Sequence, residues 1–503
     1  MKQGRRSHHQ NHGECLKFIN VSHPEESKQK NNQDAIRHHV MTRVADSRRK
    51  RPQTWTLVLK TPEAHLGDVS STESRAQDLG IHQNPGSQWN GEVPRALHPY
   101  SIFPVDTDSR ARQLIQFMHV EGDYLYRPFR NEWWAMAVVD CTAFYLSLAN
   151  AALFFHQRTL NKGSEYSDFE ESSKYLSLCL NQVTTRLNQG PDNVGEGVIT
   201  TVLGFLCHDS TTGRWDRYAM HMDGLQNILR LRGDFHRLKS TIVMFVSWFD
   251  VLGSSMFDKK PRFPMPPGFA TSTFHQVVLS TSLQGLVLRL SRGSDEDANI
   301  AIALQAGGQV AMFVNQNAHS PRFWKDGAAA ARRITPVMHL LLSLPRPAEF
   351  DAAGNMSPKN TLLELVRLAL LIMSTRLKKA FSLVSDELDT FLERFSILVR
   401  NAPCVDNRFP ELSLWASIIV ASMERSDPWR KVHVGAISTL MGSMGIQSGE
   451  DAVVCAKQLV WLDALMDSGS IHLQSEINSA GPSSPAPQKA PHFIEPVAPL
   501  HAA

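Results

Sequence analysis

Residues 240–257, "STIVMFVSWFDVLGSSMF", are apolar around nearly the whole circumference of a helix and carry one carboxylate, Asp250. A helix with no polar face has to be surrounded by other elements, so this segment predicts a central helix in a many-layered core. What surrounds it is written in the same period. Between residues 111 and 467 the runs "NEWWAMAVVDCTAFYLSLANAALFFHQ", "ESSKYLSLCLNQVTTRLNQG", "VGEGVITTVLGFLCH", "TLLELVRLALLIMSTRLKKAF", "ELSLWASIIVASME" and "DAVVCAKQLVWLDALMD" repeat apolar residues at helical spacing, and strand-like alternation is nearly absent. The fold class is therefore all-α, a large multi-helix domain over residues 99–470, and 503 residues with 42% hydrophobic content are enough to build its core.

Asp250 cannot sit ionised and unpaired inside such a core. The nearest cation beyond the helix is Arg262, in "KKPRFP", and an Asp250–Arg262 structural ion pair is expected, with Arg232 the next candidate. Upstream, "MHMDGLQNILRLRGDF" puts Met222, Leu225, Ile228, Leu229 and Arg232 on one helical face and turns His221, Asn227 and Arg230 away. Gly233 suits the left-handed position that closes a helix. Asp295, Glu296 and Asp297 in "SDEDANI" read as a helix N-terminal cluster, and Trp133, Trp134, Trp248, Trp415 and Trp461 read as core.

The two ends have another character. The first sixty residues hold 13 Lys and Arg against 5 Asp and Glu, so the basicity of a chain whose net charge is +3 is concentrated in one arm. Residues 1–52 read as a disordered basic arm with a short helix, started by Ser22 and Pro24 and ended by Pro52. Its run Arg48, Arg49, Lys50, Arg51 reads first as a nuclear localisation signal for an import receptor. Second comes phosphate contact with DNA, joined by Arg37, His38, His39 and Arg43; third, a solvated helix end. Residues 53–98 read as a linker, and residues 471–503, rich in Pro, Ala and Ser, as a disordered tail.

Several chemistries find no support. The six cysteines form no C-x-x-C pair, and His8, His9, His12 and Cys15 lie in a polar tail that would have to be ordered to hold a metal, so neither metal nor cofactor is expected. No apolar stretch is long enough to span a membrane. In "GPDNVGEG" the phosphate-binding Lys and Ser of a P-loop are replaced by Glu196 and Gly197, and "LGSSMF" lacks the glycine and strand of a nucleophile elbow. No catalytic residue, and no enzyme, is expected.

Five segments, "HMDGLQNILRLRGDF" at 221–235, "SWFDVLGSSMFDKKPRFP" at 247–264, "PYSIFPVD" at 99–106, "FRNEWWAMAVVD" at 129–140 and "LVWLDALMD" at 459–467, together resemble the fungal-specific transcription factor domain. That helical region usually follows a Zn2Cys6 DNA-binding cluster. "FINVSHPEESKQKNNQDAIRHHVMTRVADSRRKR" resembles the N-terminal element of a branch without the cluster, and only Cys15 lies in the first hundred residues. The resemblance implies a nuclear transcriptional regulator acting by protein recruitment. Its partners would be co-regulators, a DNA-binding protein or a second copy, with room for a small apolar metabolite between helices. The alternative is a nuclear scaffold protein without promoter activity.

Overall fold

The computed structural model describes residues 103–480 except 121–126, 160–168, 189–194, 234, 236–237, 267–278, 347–356, 402–407 and 425–427. Among the described residues there are sixteen α-helices and no strand. The arm, the linker and the basic run of residues 48–51 lie outside them.

The first half comprises α1 (Ser109–Val120), α2 (Arg130–Ala137), α3 (Cys141–Thr159), α4 (Glu170–Asn188), α5 (Glu196–Thr211), α6 (Trp215–Arg232) and α7 (Ser240–Met256). Helix α3 lies against α1, α4 and α5, and α5 in turn against α6 and α7. Helix α7 is buried at every position from Ile242 to Leu252, as its unbroken apolar circumference requires. Gly233 ends α6 at φ 82°, the left-handed region that a side chain would strain. A Cβ on Gly253 would come within 2.5 Å of the Tyr218 ring, so glycine is what lets α6 and α7 approach.

The second half comprises α8 (Thr281–Leu290), α9 (Asp295–Asn317), α10 (Gly327–Ser343), α11 (Pro358–Ala380), α12 (Leu388–Asn401), α13 (Pro410–Met423), α14 (Arg430–Met444), α15 (Gly449–Lys457) and α16 (Asp463–Ala480). Ser294 and Asp297 form a capping box at the head of α9, and Arg408 grips the same Asp297 through two 3.0 Å hydrogen bonds. Helices α11 and α13 form the middle of this half, α11 touching α9, α10 and α12 and α13 touching α14, α15 and α16. Packing of α7 on α10 joins the halves into one apolar core.

Two boundaries differ from the sequence reading. "DAVVCAKQLVWLDALMD" is broken after Lys457 rather than continuous, because the Val460 carbonyl accepts the Trp415 indole N–H and the Trp461 carbonyl accepts the Asn315 amide. Carbonyls spent on other helices cannot propagate this one. The last helix then runs on to Ala480, past the tail boundary expected at 470, because Leu473 and Ile477 bury in the core.

Candidate functional site

Polar groups inside this core gather where α7 ends and the chain turns back beneath α6 and α10. Asp250 is 2% exposed. Its Oδ1 accepts the backbone N–H of Arg262 at 3.0 Å and its Oδ2 that of Phe263 at 2.9 Å, while the Arg262 guanidinium reaches outward to Asp223 of α6. The residues expected to pair do meet, but main chain to side chain. The turn's amides need acceptors in any case, and the guanidinium stays half in water rather than being desolvated. Burial pushes the Asp250 carboxyl above its ordinary value, and the two amides pull it back. His339 of α10 completes the clamp, with Nε2 donating to the Phe263 carbonyl at 2.8 Å. Asp250→Ala leaves two amides without acceptors, each costing ~1–3 kcal/mol when buried. The variant is expected to lose about 2–4 kcal/mol, read as a lower urea midpoint; an unchanged midpoint removes the clamp argument.

Eight residues further on, Asp258 holds φ 47°, a left-handed backbone that only Gly, Asn and Asp adopt readily. Its carboxylate is wholly buried and meets three arginines. Arg367 of α11 is bidentate at 2.8 Å on both oxygens, Arg346, just past α10, lies at 2.9 Å, and Arg394 of α12 at 2.6 Å. Glu364 shares Arg367 from one turn earlier on α11. Burial acts to raise the Asp258 carboxyl, but the hydrogen bonds from Arg367 and the charges of Arg367, Arg346 and Arg394 outweigh it and hold the group below its ordinary value.

Below this cluster a second ion pair is fully enclosed. Lys378 Nζ of α11 lies 2.5 Å from Glu387 Oε1, both at most 1% exposed, and the ammonium also sits 5.0 Å from the Trp248 ring centre on α7. Sequence reading picked out Asp250 alone. The signal for the others was there: Arg367 and Lys378 are isolated cations in the apolar run "TLLELVRLALLIMSTRLKKAF".

The first half also encloses a cavity of about 40 Å³ lined by His119, Trp133, Trp134, Asn150, Phe245 and Phe249. That is room for a water or two, not for a metabolite. Burial, then the Arg130 charge, lowers the His119 imidazole to about 4, so it is neutral at physiological pH. His221, expected to face away, lies flat on Phe205 and bonds Asp209 at 2.6 Å, because α6 presents this side to α5. Trp248, Trp415 and Trp461 are buried, and Trp133 and Trp134 pack partly buried against the same core. The basic residues Arg37, Arg43, Arg48, Arg49, Lys50 and Arg51 lie outside the described residues. No helix among the described residues is long and apolar enough to cross a membrane.

Residues 113–267, from within α1 to the turn beyond α7, match the fungal specific transcription factor domain. Through this stretch the chain is similar to that family, which is one of transcription factors, and the likeness suggests a role in transcriptional regulation. No curated protein and no solved structure matches the chain.

Proposed function

We propose that this chain regulates transcription by recruiting protein partners, co-regulators or a DNA-binding protein, through its helical body. The run Arg48, Arg49, Lys50, Arg51 serves as its nuclear address. The observation that carries the reading is the transcription factor domain match over residues 113–267. Direct DNA contact by Arg37, Arg43 and the basic run is a lesser component. It would rest on phosphates, add no sequence choice, and weaken steeply as salt rises.

The full chain fused to an unrelated DNA-binding domain is expected to raise or lower a reporter carrying that domain's site. No change in output would replace the regulator with a nuclear scaffold. In the unfused chain, alanine at residues 48–51 is expected to abolish nuclear accumulation, and a foreign import signal to restore both entry and discrete promoter occupancy. Entry restored without occupancy would turn the run from an address into a DNA contact.

A further inference from the structure

Among the described residues, no carboxylate forms an ion pair with Arg333 of α10, and Asp326 acts on it only by its charge. The Arg333 side chain lines a cavity of about 370 Å³ between α9, the 318–326 connection, the start of α10 and the end of α11. The guanidinium lies 4.2 Å from the Phe313 ring centre. Its Nε is buried without a hydrogen-bond partner, and Nη1 reaches only the Ala329 carbonyl, at a long 3.4 Å. By contrast, Arg262, Arg346, Arg367, Arg394 and Arg408 are each placed on a carboxylate.

A partly desolvated cation with an unsatisfied donor costs stability, a cost that an anion in the cavity would offset. The remaining walls say what. Phe323, Phe381, Ile334 and Leu377 make the cavity largely aromatic and aliphatic, and Phe313 holds the guanidinium plane in place by a cation–π contact. Arg322 and His319 stand exposed among the lining residues. Asp326 is the one carboxylate among the described lining residues, and its Oδ1 is engaged in accepting the Ala329 N–H that caps α10. Burial lowers the Arg333 guanidinium from its ordinary value while the Asp326 charge opposes that fall, so the group stays cationic at neutral pH. The volume falls within the range of small-molecule sites and is about nine times the cavity beside Trp133.

The geometry points to this cavity as a binding site for a small monocarboxylate with an aromatic or aliphatic body, its carboxylate paired with Arg333 and its body among the phenylalanine rings. The site lies outside the family-matched stretch, and binding there is read on the purified chain whatever it does at promoters.

The test uses the full chain and three probes, 2-naphthoate, indole-3-acetate and octanoate, each beside its neutral amide. Thermal melting and calorimetry are read on the wild type and on Arg333→Met, which keeps the length of the stem and removes the charge. At least one carboxylate is expected to bind the wild type at least tenfold more tightly than its amide and to raise the melting temperature. Arg333→Met is expected to lose that preference while the unliganded protein melts at the same temperature or higher. Three results would overturn the proposal: no carboxylate preferred over its amide, a preference that survives in Arg333→Met, or an unliganded variant that melts lower, which would make Arg333 a packing residue in a solvated cavity.

Discussion

Asp258→Asn is expected to destabilise this protein more than any other single exchange of comparable size. Asparagine preserves the side-chain shape and tolerates the left-handed backbone at φ 47°, so the variant isolates the charge. Arg367, fully buried, then keeps only Glu364, and Arg346 and Arg394 face an uncharged amide. Removing one partner of a buried pair typically costs ~3–5 kcal/mol, because a charge stays behind in low dielectric. That is a large share of the ~5–15 kcal/mol that holds a domain folded. Urea midpoints measure it, with Arg394→Ala as the internal comparison: that side chain is half exposed, and its loss is expected to cost ~1 kcal/mol or less. Acid supplies a second readout. The Asp258 carboxyl titrates below its ordinary value in the folded state, so its contribution is complete above about pH 4 and disappears as the pH falls through the depressed value. Wild type should therefore show an acid-unfolding limb below pH 4 that is shallower in Asp258→Asn. Equal urea midpoints for Asp258→Asn and wild type would remove the hub from the account of stability.

The second large effect is expected at Lys378 and Glu387, and its signature is non-additivity. Lys378→Met leaves Glu387 buried with Thr375 as its remaining hydrogen-bond donor, at 3.3 Å, and is expected to cost ~3–5 kcal/mol. Glu387→Leu leaves the ammonium its Trp248 ring, and a desolvated cation–π contact of ~2 kcal/mol makes that loss smaller. The double variant replaces both charges with apolar groups of similar volume and is expected to return to within ~1 kcal/mol of wild type. Additive losses in the double variant would show that the two side chains act through packing rather than through each other.

How far the chain could be read in advance depended on whether a residue's role was local. Helical class, the centrality of residues 240–257, the left-handed Gly233 and the capped acidic start of α9 all follow from neighbours within one or two turns, and each was legible. Asp250 announced itself as a charge in an apolar run. Its partners did not, since the sequence offers Arg262 as a side chain and the fold uses its main chain. The arginines around Asp258 lie between 88 and 136 residues away, a separation over which no periodicity carries information. The cavity at Arg333 was illegible for the same reason, its walls coming from three helices and a turn.

The Asp258 hub also says where this protein can be divided. The carboxylate belongs to the stretch that carries the family likeness, while its three arginines and the helix that covers α7 all lie downstream of residue 267. The segment that carries the family likeness is thus not the segment that folds as one. A fragment trimmed to residues 113–267 exposes the face of α7 that α10 covers and one unanswered negative charge, and self-association is the expected outcome. The likeness thus ends at residue 267, while the residues that must fold together reach well beyond it.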